Sequence, residues 1–342
     1  MNMRKFANWE GALAMLIIAE ILVFGIINPR MLDINMLLYS TSDFIYIGIV
    51  ALPLTLVIVS GGIDISLGST IGLCAIVLGV VYRLGLPIEL CVILTLAVGL
   101  LCGVINAILI LYTGVNPLVI TLGTMYLYGG SALLLSGMSG ATGYEGIGGF
   151  PDGFTNFANS DFLGLPIPLV VFITALAVIS LILHKTKIGR NVYLIGQNPR
   201  VTQYSGIPVK FTLCIAYGLV GLFAAISGIL LVSYFGSARS DLGISFLMPA
   251  ITAVVLGGAN IYGGAGSVIG TALAALMVGY LQQGLQMVGV TNQISSALSG
   301  GLLIIVVVGR SIVVNKESIT NWLKTKLAIK KQITIEHITN SN

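Results

Sequence analysis

The chain has 342 residues, of which 56% are hydrophobic and only 8% are charged, and its mean hydropathy is +1.03. Because soluble domains carry about 25% charged residues, this composition excludes a water-soluble protein. The net charge is +4, from 16 Lys and Arg against 12 Asp and Glu. The 43 glycines favour close helix packing in a bilayer, where small residues let backbones approach.

Apolar runs of membrane-spanning length recur along the chain. A spanning helix needs about 20 mostly apolar residues. Two of the runs are short and end in glycine-rich hairpins, 60–69 and 257–267, where re-entrant backbone is tolerated if protein or water shields it. The pattern predicts an all-α polytopic membrane protein with ten spans: 9–27, 43–60, 69–84, 88–112, 117–136, 167–184, 211–234, 245–260, 266–286 and 295–314.

The basic residues orient these spans. Cytoplasmic segments of membrane proteins carry an excess of Lys and Arg. With the N-terminus inside, 13 basic residues lie on inner segments, and only three lie outside: Arg30, Arg83 and Arg239. One span more or fewer before residue 185 would move the basic segment 185–210 outside. We therefore predict that both termini are cytoplasmic.

Two further segments complete the predicted organisation. The longest outer segment is 137–166, and its phenylalanines suit either an interfacial aromatic belt or a docked partner: Phe150, Phe154, Phe157 and Phe162. The segment 235–244 is also predicted to be an outer loop. A transmembrane domain, 1–314, is followed by a basic cytoplasmic tail, 315–342, that begins as an interfacial amphipathic segment.

No set of residues suits catalysis. The two histidines, His184 and His337, lie at a span end and in the tail, and the four cysteines lie in apolar runs without a C-x-x-C spacing. The P-loop pattern that binds nucleotide phosphates does not occur. We expect neither enzyme activity nor a metal site.

Glu20 is the one acidic residue in the middle of a predicted span. A charge at that depth costs about 2.5–3.5 kcal/mol, so the side chain should be protonated, paired or turned into the bundle. Two interpretations stay open, a neutral acid hydrogen-bonded between helices and a contact for a proton or a substrate.

Neutral polar residues indicate a path for an uncharged, hydroxylated solute, because amides and hydroxyls donate and accept hydrogen bonds without imposing charge. Each alone could equally serve a helix–helix hydrogen bond. The candidates lie at the start of the fifth span, at the end of the eighth and near the outer end of the ninth: Asn116, Thr121, Asn260, Gln282, Gln283 and Gln286.

The hairpin 60–69 carries Asp64 and Ser66 in the sequence Gly-Gly-Ile-Asp-Ile-Ser-Leu-Gly-Ser. These residues can cap the following helix, and a gating role or a partner contact is the alternative. The segments 59–72 and 256–270 resemble each other faintly. Paired breaks of this kind often flank the substrate path of transporters.

The basic segment 185–210 separates two apolar runs. Its Asn198 and Pro199 predict the N-cap and first residue of a short helix that ends near Tyr204. Topology alone accounts for the cations but not for a capped helix, so we predict a surface for a cytoplasmic partner. Its candidate residues are Arg190, Asn198, Pro199, Arg200, Gln203, Tyr204, Ser205 and Gly206.

Three motifs then resemble one family. Gly-Arg-Asn-x-x-x-x-Gly-x-Asn-x-x-x-x-x-x-Ser-Gly-Ile at 189–207 is similar to the ATPase-coupling loop of sugar-type ABC importer permeases, in the superfamily of ribose and branched-chain amino-acid permeases. The segments 61–69 and 257–267 match its other two signature segments. Relatives often carry paired alanines after the Asn, where this chain has Pro199, Arg200 and Val201.

The resemblance implies an assembly. It implies a second, C-type permease subunit that forms a heterodimer with this chain, two cytoplasmic ATPase domains and a periplasmic solute-binding protein, in the inner membrane of a Gram-negative bacterium. ATP and magnesium would bind the ATPase, so we expect no cofactor on this chain and no nucleic-acid partner. A secondary transporter and a passive channel are the competing classes; the lack of ion-pairing charges within the spans argues against the former.

Overall fold

The computed structural model describes residues 3–140 and 146–291, together with 294, 295, 297, 298, 300, 301 and 304. The fold below is that of the compact unit Met1–Gly300. Its described residues form α1 (Met3–Ile27), α2 (Ile34–Val59), α3 (Leu67–Arg83), α4 (Ile88–Thr113), α5 (Pro117–Met138), α6 (Asp152–Thr155), β1 (Asp161–Phe162), β2 (Leu165–Pro166), α7 (Ile167–Lys185), α8 (Lys187–Gln197), α9 (Pro199–Tyr204), α10 (Val209–Phe235), α11 (Leu247–Leu256) and α12 (Val268–Met287).

Seven of these helices, α1, α2, α4, α5, α7, α10 and α12, are long and apolar enough to cross a membrane. Two apolar helices, α3 and α11, are shorter. The prediction of an all-α polytopic membrane protein is confirmed. The tenth predicted span, 295–314, and the tail lie largely outside the described residues.

The centre of the bundle is α2, which packs against α7, α10, α11 and α12. Nearly all of α2 is buried from Ser40 to Val59, including Pro53 within the helix. Around it, α1 packs on α12, α4 on α10, and α5 on α3. These outer helices leave broad apolar faces exposed, as a lipid-facing surface requires.

The closest helix contact joins α4 to α10 through small residues. A Cβ atom at Gly103 would overlap the Tyr217 carbonyl, and one at Gly221 would overlap the Gly99 carbonyl. The two backbones therefore meet with no room for a side chain. This is the arrangement that small residues permit in membrane interfaces.

The prediction that the eighth span, 245–260, crosses the whole membrane is wrong. Helix α11 has ten residues, about 15 Å at 1.5 Å per residue, which is half of a bilayer core of about 30 Å. A 3-10 turn, Ile244–Phe246, precedes it, and Phe246 lies against Tyr46 with ring centroids 6.1 Å apart. Because Tyr46 stands at the midpoint of α2, α11 begins halfway through the bundle.

The outer half of this crossing is formed by residues 236–246, an irregular segment that ends in the 3-10 turn and that we call the descending segment. It runs antiparallel to α3: Ala238 lies beside Gly79, Ser240 beside Gly72 and Gly243 beside Gly68. A side chain at Gly72 would overlap the Ser240 carbonyl. The prediction of an outer loop at 235–244 is therefore wrong, because glycines on α3 admit this backbone into the bundle.

The outer end is covered by residues 146–166. Ile147 pairs with Ala238 through two backbone hydrogen bonds of 2.9 Å. Phe150 and Phe154 are buried, and Phe150 stacks on Tyr82 at 5.1 Å. Phe157 and Phe162, by contrast, are 47% and 57% exposed. Two phenylalanines thus pack inside the cap, and two remain available to lipid or to a partner.

The α4–α10 contact predicts a large effect of a side chain at Gly103. We expect Gly103→Val to lower the thermal melting temperature of the detergent-purified chain markedly, because overpacking costs about 1–3 kcal/mol even where side chains can yield. Gly123→Val is the matched control, since nothing lies within 4 Å of a Cβ there. Equal melting temperatures for the two variants would contradict the contact.

Candidate translocation path and coupling segment

A groove of about 490 Å³ lies where α3 begins, between α5 and the descending segment. On the α5 side the groove is lined by Gly129 and Gly130, which have no side chains, and by Met125 and Tyr126. Across from α5 stand Gly68 and Ser69 of α3 and Ser240, Ile244 and Leu247. Non-helical backbone at membrane depth is tolerated where it lines a polar cavity or is buried in protein, so this groove is the candidate translocation path.

The groove is uncharged, and its mostly apolar lining carries a few hydroxyl groups. The hydroxyl groups belong to Ser69, Tyr126 and Ser240. None of the described residues that line the groove is an Asp, Glu, Lys, Arg or His. Helices α3 and α11 both begin here, and the positive ends of their dipoles point toward the groove. The arrangement suits a neutral solute that accepts and donates hydrogen bonds.

Behind the groove, the hairpin before α3 holds a buried carboxylate. Asp64 is 2% exposed, and its Oδ1 accepts hydrogen bonds from the Ser66 amide at 2.9 Å and the Ser66 hydroxyl at 2.6 Å. Asn106 Nδ2 donates to Ser66 Oγ at 2.8 Å and lies 3.4 Å from Asp64 Oδ2. Neither side chain accepts a hydrogen bond from an amide within α3, so the capping role stays a prediction, and the carboxylate instead ties the residue before α3 to α4.

The same hairpin is bound to three helices in all. Tyr128 of α5 donates its hydroxyl to Asn106 Oδ1 at 3.2 Å, which continues the network from α4 to α5. Tyr217 of α10 donates to the carbonyl of Ile63 at 3.3 Å. Buried polar groups are costly unless hydrogen-bonded, so this network holds the start of α3 in one position.

The two glycine-rich hairpins meet at the inner end of the bundle. The Gly264 amide donates to the Val59 carbonyl at 2.8 Å, which joins the hairpin after α11 to the end of α2. A Cβ at Gly263 would lie 2.9 Å from both Gly196 Cα and Gly61 N. The faint repeat in the sequence thus corresponds to two hairpins in direct backbone contact.

Helix α1 closes over the second hairpin. Trp9 donates its indole N–H to the Leu256 carbonyl at 2.8 Å, and Ser267 donates its hydroxyl to Glu10 Oε1 at 2.5 Å. Ser267 also caps α12 by accepting from the Gly270 amide at 3.1 Å. The hairpin is therefore held on both sides.

The basic segment 185–210 forms two helices rather than one. The predicted short helix is confirmed as α9, with Pro199 first and Asn198 as N-cap, whose side chain accepts from the amides of Arg200 and Val201 at 3.1 Å each. Tyr204 is 92% exposed. Arg200, Gln203 and Ser205 are also exposed, and Gly206 has a φ of 76° that ends the helix.

The second helix, α8, connects α9 to the hairpins. Thr202 of α9 donates its hydroxyl to the Leu194 carbonyl at 2.8 Å, which fastens α9 to α8. Tyr193 of α8 donates to the Gly266 carbonyl at 2.8 Å. Burial raises the pKa of Tyr193 to about 12, so its hydroxyl stays a neutral donor. Arg190 lies on α8, apart from the exposed residues of α9.

The structure does not bring the predicted path residues together. Asn116 caps α5 at the inner surface, and Asn260 shapes its own hairpin by donating to the Gly263 carbonyl at 3.0 Å. Thr121 is buried and bonds to the Pro117 carbonyl at 2.9 Å. The three glutamines lie on the outer half of α12: Gln282, Gln283 and Gln286. Their role in transport stays a prediction.

Glu20 is half-buried on α1, and neither of its carboxyl oxygens, which are themselves buried, has a hydrogen-bond partner among the described residues. The predicted hydrogen bond between helices is thus not found in the part of the chain that the structure describes. The Oε1 atom of Gln283 is likewise buried without a partner among those residues. A contact for a proton or a substrate stays a prediction.

Several functional candidates escaped the sequence analysis. Asn106 is an amide within the apolar run 88–112, a signal that could have identified it. The amphipathic pattern of Ile188, Val192 and Ile195 could likewise have revealed α8. Ser69 and Ser240 carry no comparable signal, because only the descending segment brings them together.

Removing the buried carboxylate of Asp64 should destabilise the fold more than removing an exposed cap. We expect Asp64→Ala to cost about 2–4 kcal/mol, since it leaves buried donors of Ser66 and Asn106 unsatisfied. Asp33→Ala is the matched control, because Asp33 caps α2 at the surface and such a cap contributes about 1 kcal/mol. Thermal melting of both purified variants tests this, and an equal loss would contradict the buried network.

Comparison with known proteins covers most of the chain. A family model described as "Branched-chain amino acid transport system / permease component" matches residues 36–307. The proteins named "Autoinducer 2 import system permease protein LsrD" of Escherichia coli strain K12 and of Shigella flexneri are each 71% identical over 321 residues, covering 94% of this chain and 97% of the relative. The protein of that name from Escherichia coli O157:H7 is 70% identical over the same length. No solved structure matches this chain.

Proposed function

Because the chain belongs to the permease family of branched-chain amino acid transport systems, we propose that it is the membrane-spanning subunit of an ATP-driven importer of autoinducer-2. The observation that carries the proposal is the 71% identity, over 94% of the chain, to a permease of an autoinducer 2 import system. Similarity of this extent includes the groove, the hairpins and the cytoplasmic helices together.

The proposed assembly contains further chains. A second permease subunit pairs with this one, two ATPase domains bind on the cytoplasmic side, and a periplasmic binding protein delivers the solute. The exposed surface of α9 supports the ATPase contact, since Arg200, Gln203 and Tyr204 project beyond the bundle. The exposed face of α5 beside the groove, with Tyr126 72% exposed, supports a path shared with the second permease. Such an assembly resides in the inner membrane of a Gram-negative cell.

The proposed mechanism is alternating access driven by closure of the ATPase. Movement of α9 passes to α8 through Thr202, and from α8 to the second hairpin through Tyr193 and the close contact at Gly196. That hairpin joins α11 to α12, so displacing it shifts Leu247 and the wall of the groove. This chain contributes no hydrolytic step; its residues line the path, hold the hairpins and transmit motion.

A sugar such as ribose is the alternative cargo, because an uncharged groove with a few hydroxyl groups suits any small polyhydroxylated solute. The chemistry of the groove suits both ribose and autoinducer-2. The high identity to autoinducer-2 permeases favours autoinducer-2.

Uptake in cells lacking only this chain tests the proposal. We expect loss of labelled autoinducer-2 uptake with normal ribose uptake, and restoration by the intact chain. Arg200→Glu should restore at most about a tenth of that uptake, because reversing a charge on α9 places a repulsive group in the ATPase contact. Lys185→Glu is the matched control, since it reverses an exposed cytoplasmic charge outside α9.

The two parts of this test fail differently. Loss of ribose uptake alone would overturn the cargo but leave an ATP-driven permease. Full autoinducer-2 uptake by Arg200→Glu would overturn the coupling assignment. Uptake that persists after ATP depletion and collapses with the proton gradient would indicate a secondary transporter.

A further inference from the structure

A cleft of about 480 Å³ lies between α8 and the inner end of α10, on the side away from the hairpins' contact. Lys187 and Arg190 stand at its rim. Its floor is polar, where Asn191 Nδ2 donates to Thr212 Oγ1 at 3.4 Å. Its walls are apolar and include Leu194 and Phe211, which are 43% and 63% exposed.

The charge of the cleft is entirely positive. Two cations line it, and none of the described residues that line it is acidic. Lys187 is also the first residue of the 11-residue helix α8, so the positive end of that helix dipole adds to the same rim. A ligand that fits must therefore carry an anionic group and an apolar part.

The cleft opens at the level of the membrane surface. Lys210, next to Phe211, places its Nζ 5.0 Å from the ring centre of Tyr112, and Tyr112 is the penultimate residue of α4. Tyrosine and basic side chains at helix ends mark the interface between the hydrocarbon core and water. Lipid phosphates lie at this depth, and basic recesses between helices on the cytoplasmic side bind anionic headgroups.

We propose that this cleft binds one anionic phospholipid of the cytoplasmic leaflet. Lys187 and Arg190 hold its phosphate, and an acyl chain lies along Phe211 and Leu194. The lipid bridges α8 to α10, and so steadies the helix that links α9 to the hairpins.

A segment of the ATPase is the competing occupant, and the position of the cleft argues against it. The exposed side chains of α9 extend beyond the bundle, whereas the cleft is recessed at the bilayer surface and walled by an exposed phenylalanine. The surface of a water-soluble ATPase would have to enter the interfacial region of the bilayer to cover Phe211.

Lipid binding by the full-length chain in lipid-free detergent tests the proposal. Native mass spectrometry during titration with phosphatidylglycerol or phosphatidylcholine gives the affinity for each. We expect one phosphatidylglycerol to bind preferentially, and the double variant Lys187→Gln, Arg190→Gln to bind it about 30-fold more weakly, since each basic residue contributes about fivefold. The matched control is Lys185→Gln, Lys210→Gln, which removes two cytoplasmic charges outside the cleft and should change the affinity far less.

Two results would overturn the assignment. One is equal affinity of the intact chain for the two lipids. The other is a loss of lipid affinity in the cleft variant no larger than in the control.

Binding of the purified ATPase to the chain in the same lipid-free detergent distinguishes a lipid from the ATPase as the occupant of the cleft. If the cleft variant loses ATPase capture and keeps its lipid affinity, the cleft belongs to the ATPase interface and the lipid proposal is wrong. Matching melting temperatures of the two double variants show that both are folded.

Discussion

Every backbone amide and carbonyl inside a bilayer must find a partner within the protein, and this requirement shapes the middle of the molecule. The descending segment enters the bundle without the hydrogen bonds of an α-helix. It is tolerated because it lies against the glycine face of α3, where Gly68, Gly72 and Gly79 leave room for its backbone. It also lets α11 begin at mid-depth, and so opens the groove toward α5. A continuous helix through residues 236–246 would fill the place of the candidate path.

Close backbone contact connects this path to the basic segment 185–210. The hairpins after α2 and α11 touch through Val59 and Gly264, and α8 joins them at Gly196. Glycine lets these three segments approach so closely that displacing one must displace the others, since packed interiors have little free volume to absorb motion. The carboxylate of Asp64 fixes the first hairpin to α4. The second hairpin is held by Trp9 and Glu10 of α1.

The sequence predicted what depends on local pattern and missed what depends on packing. Hydropathy located α1, α4, α5 and α7 closely, because a spanning helix needs only length and apolar character. The N-cap at Asn198 was predictable because its hydrogen bonds are made within three residues. The half-helix α11 was predicted as a full span, since an apolar count over 245–260 does not reveal that the helix covers only Leu247–Leu256. The groove itself joins residues of α3, α5 and the descending segment, more than 100 positions apart at the extremes, and no local pattern records such contacts.

Cysteine accessibility at Ser240 tests the central claim most directly. In a background with the four native cysteines replaced, Ser240→Cys places a thiol in the groove, while Leu127→Cys places one on the exposed apolar face of α5. A water-soluble thiol reagent added to intact assembly in membranes should label position 240, at a rate that autoinducer-2 lowers, and should leave position 127 unlabelled. Failure to label position 240 in any nucleotide state of the ATPase would contradict a water-accessible path along the descending segment.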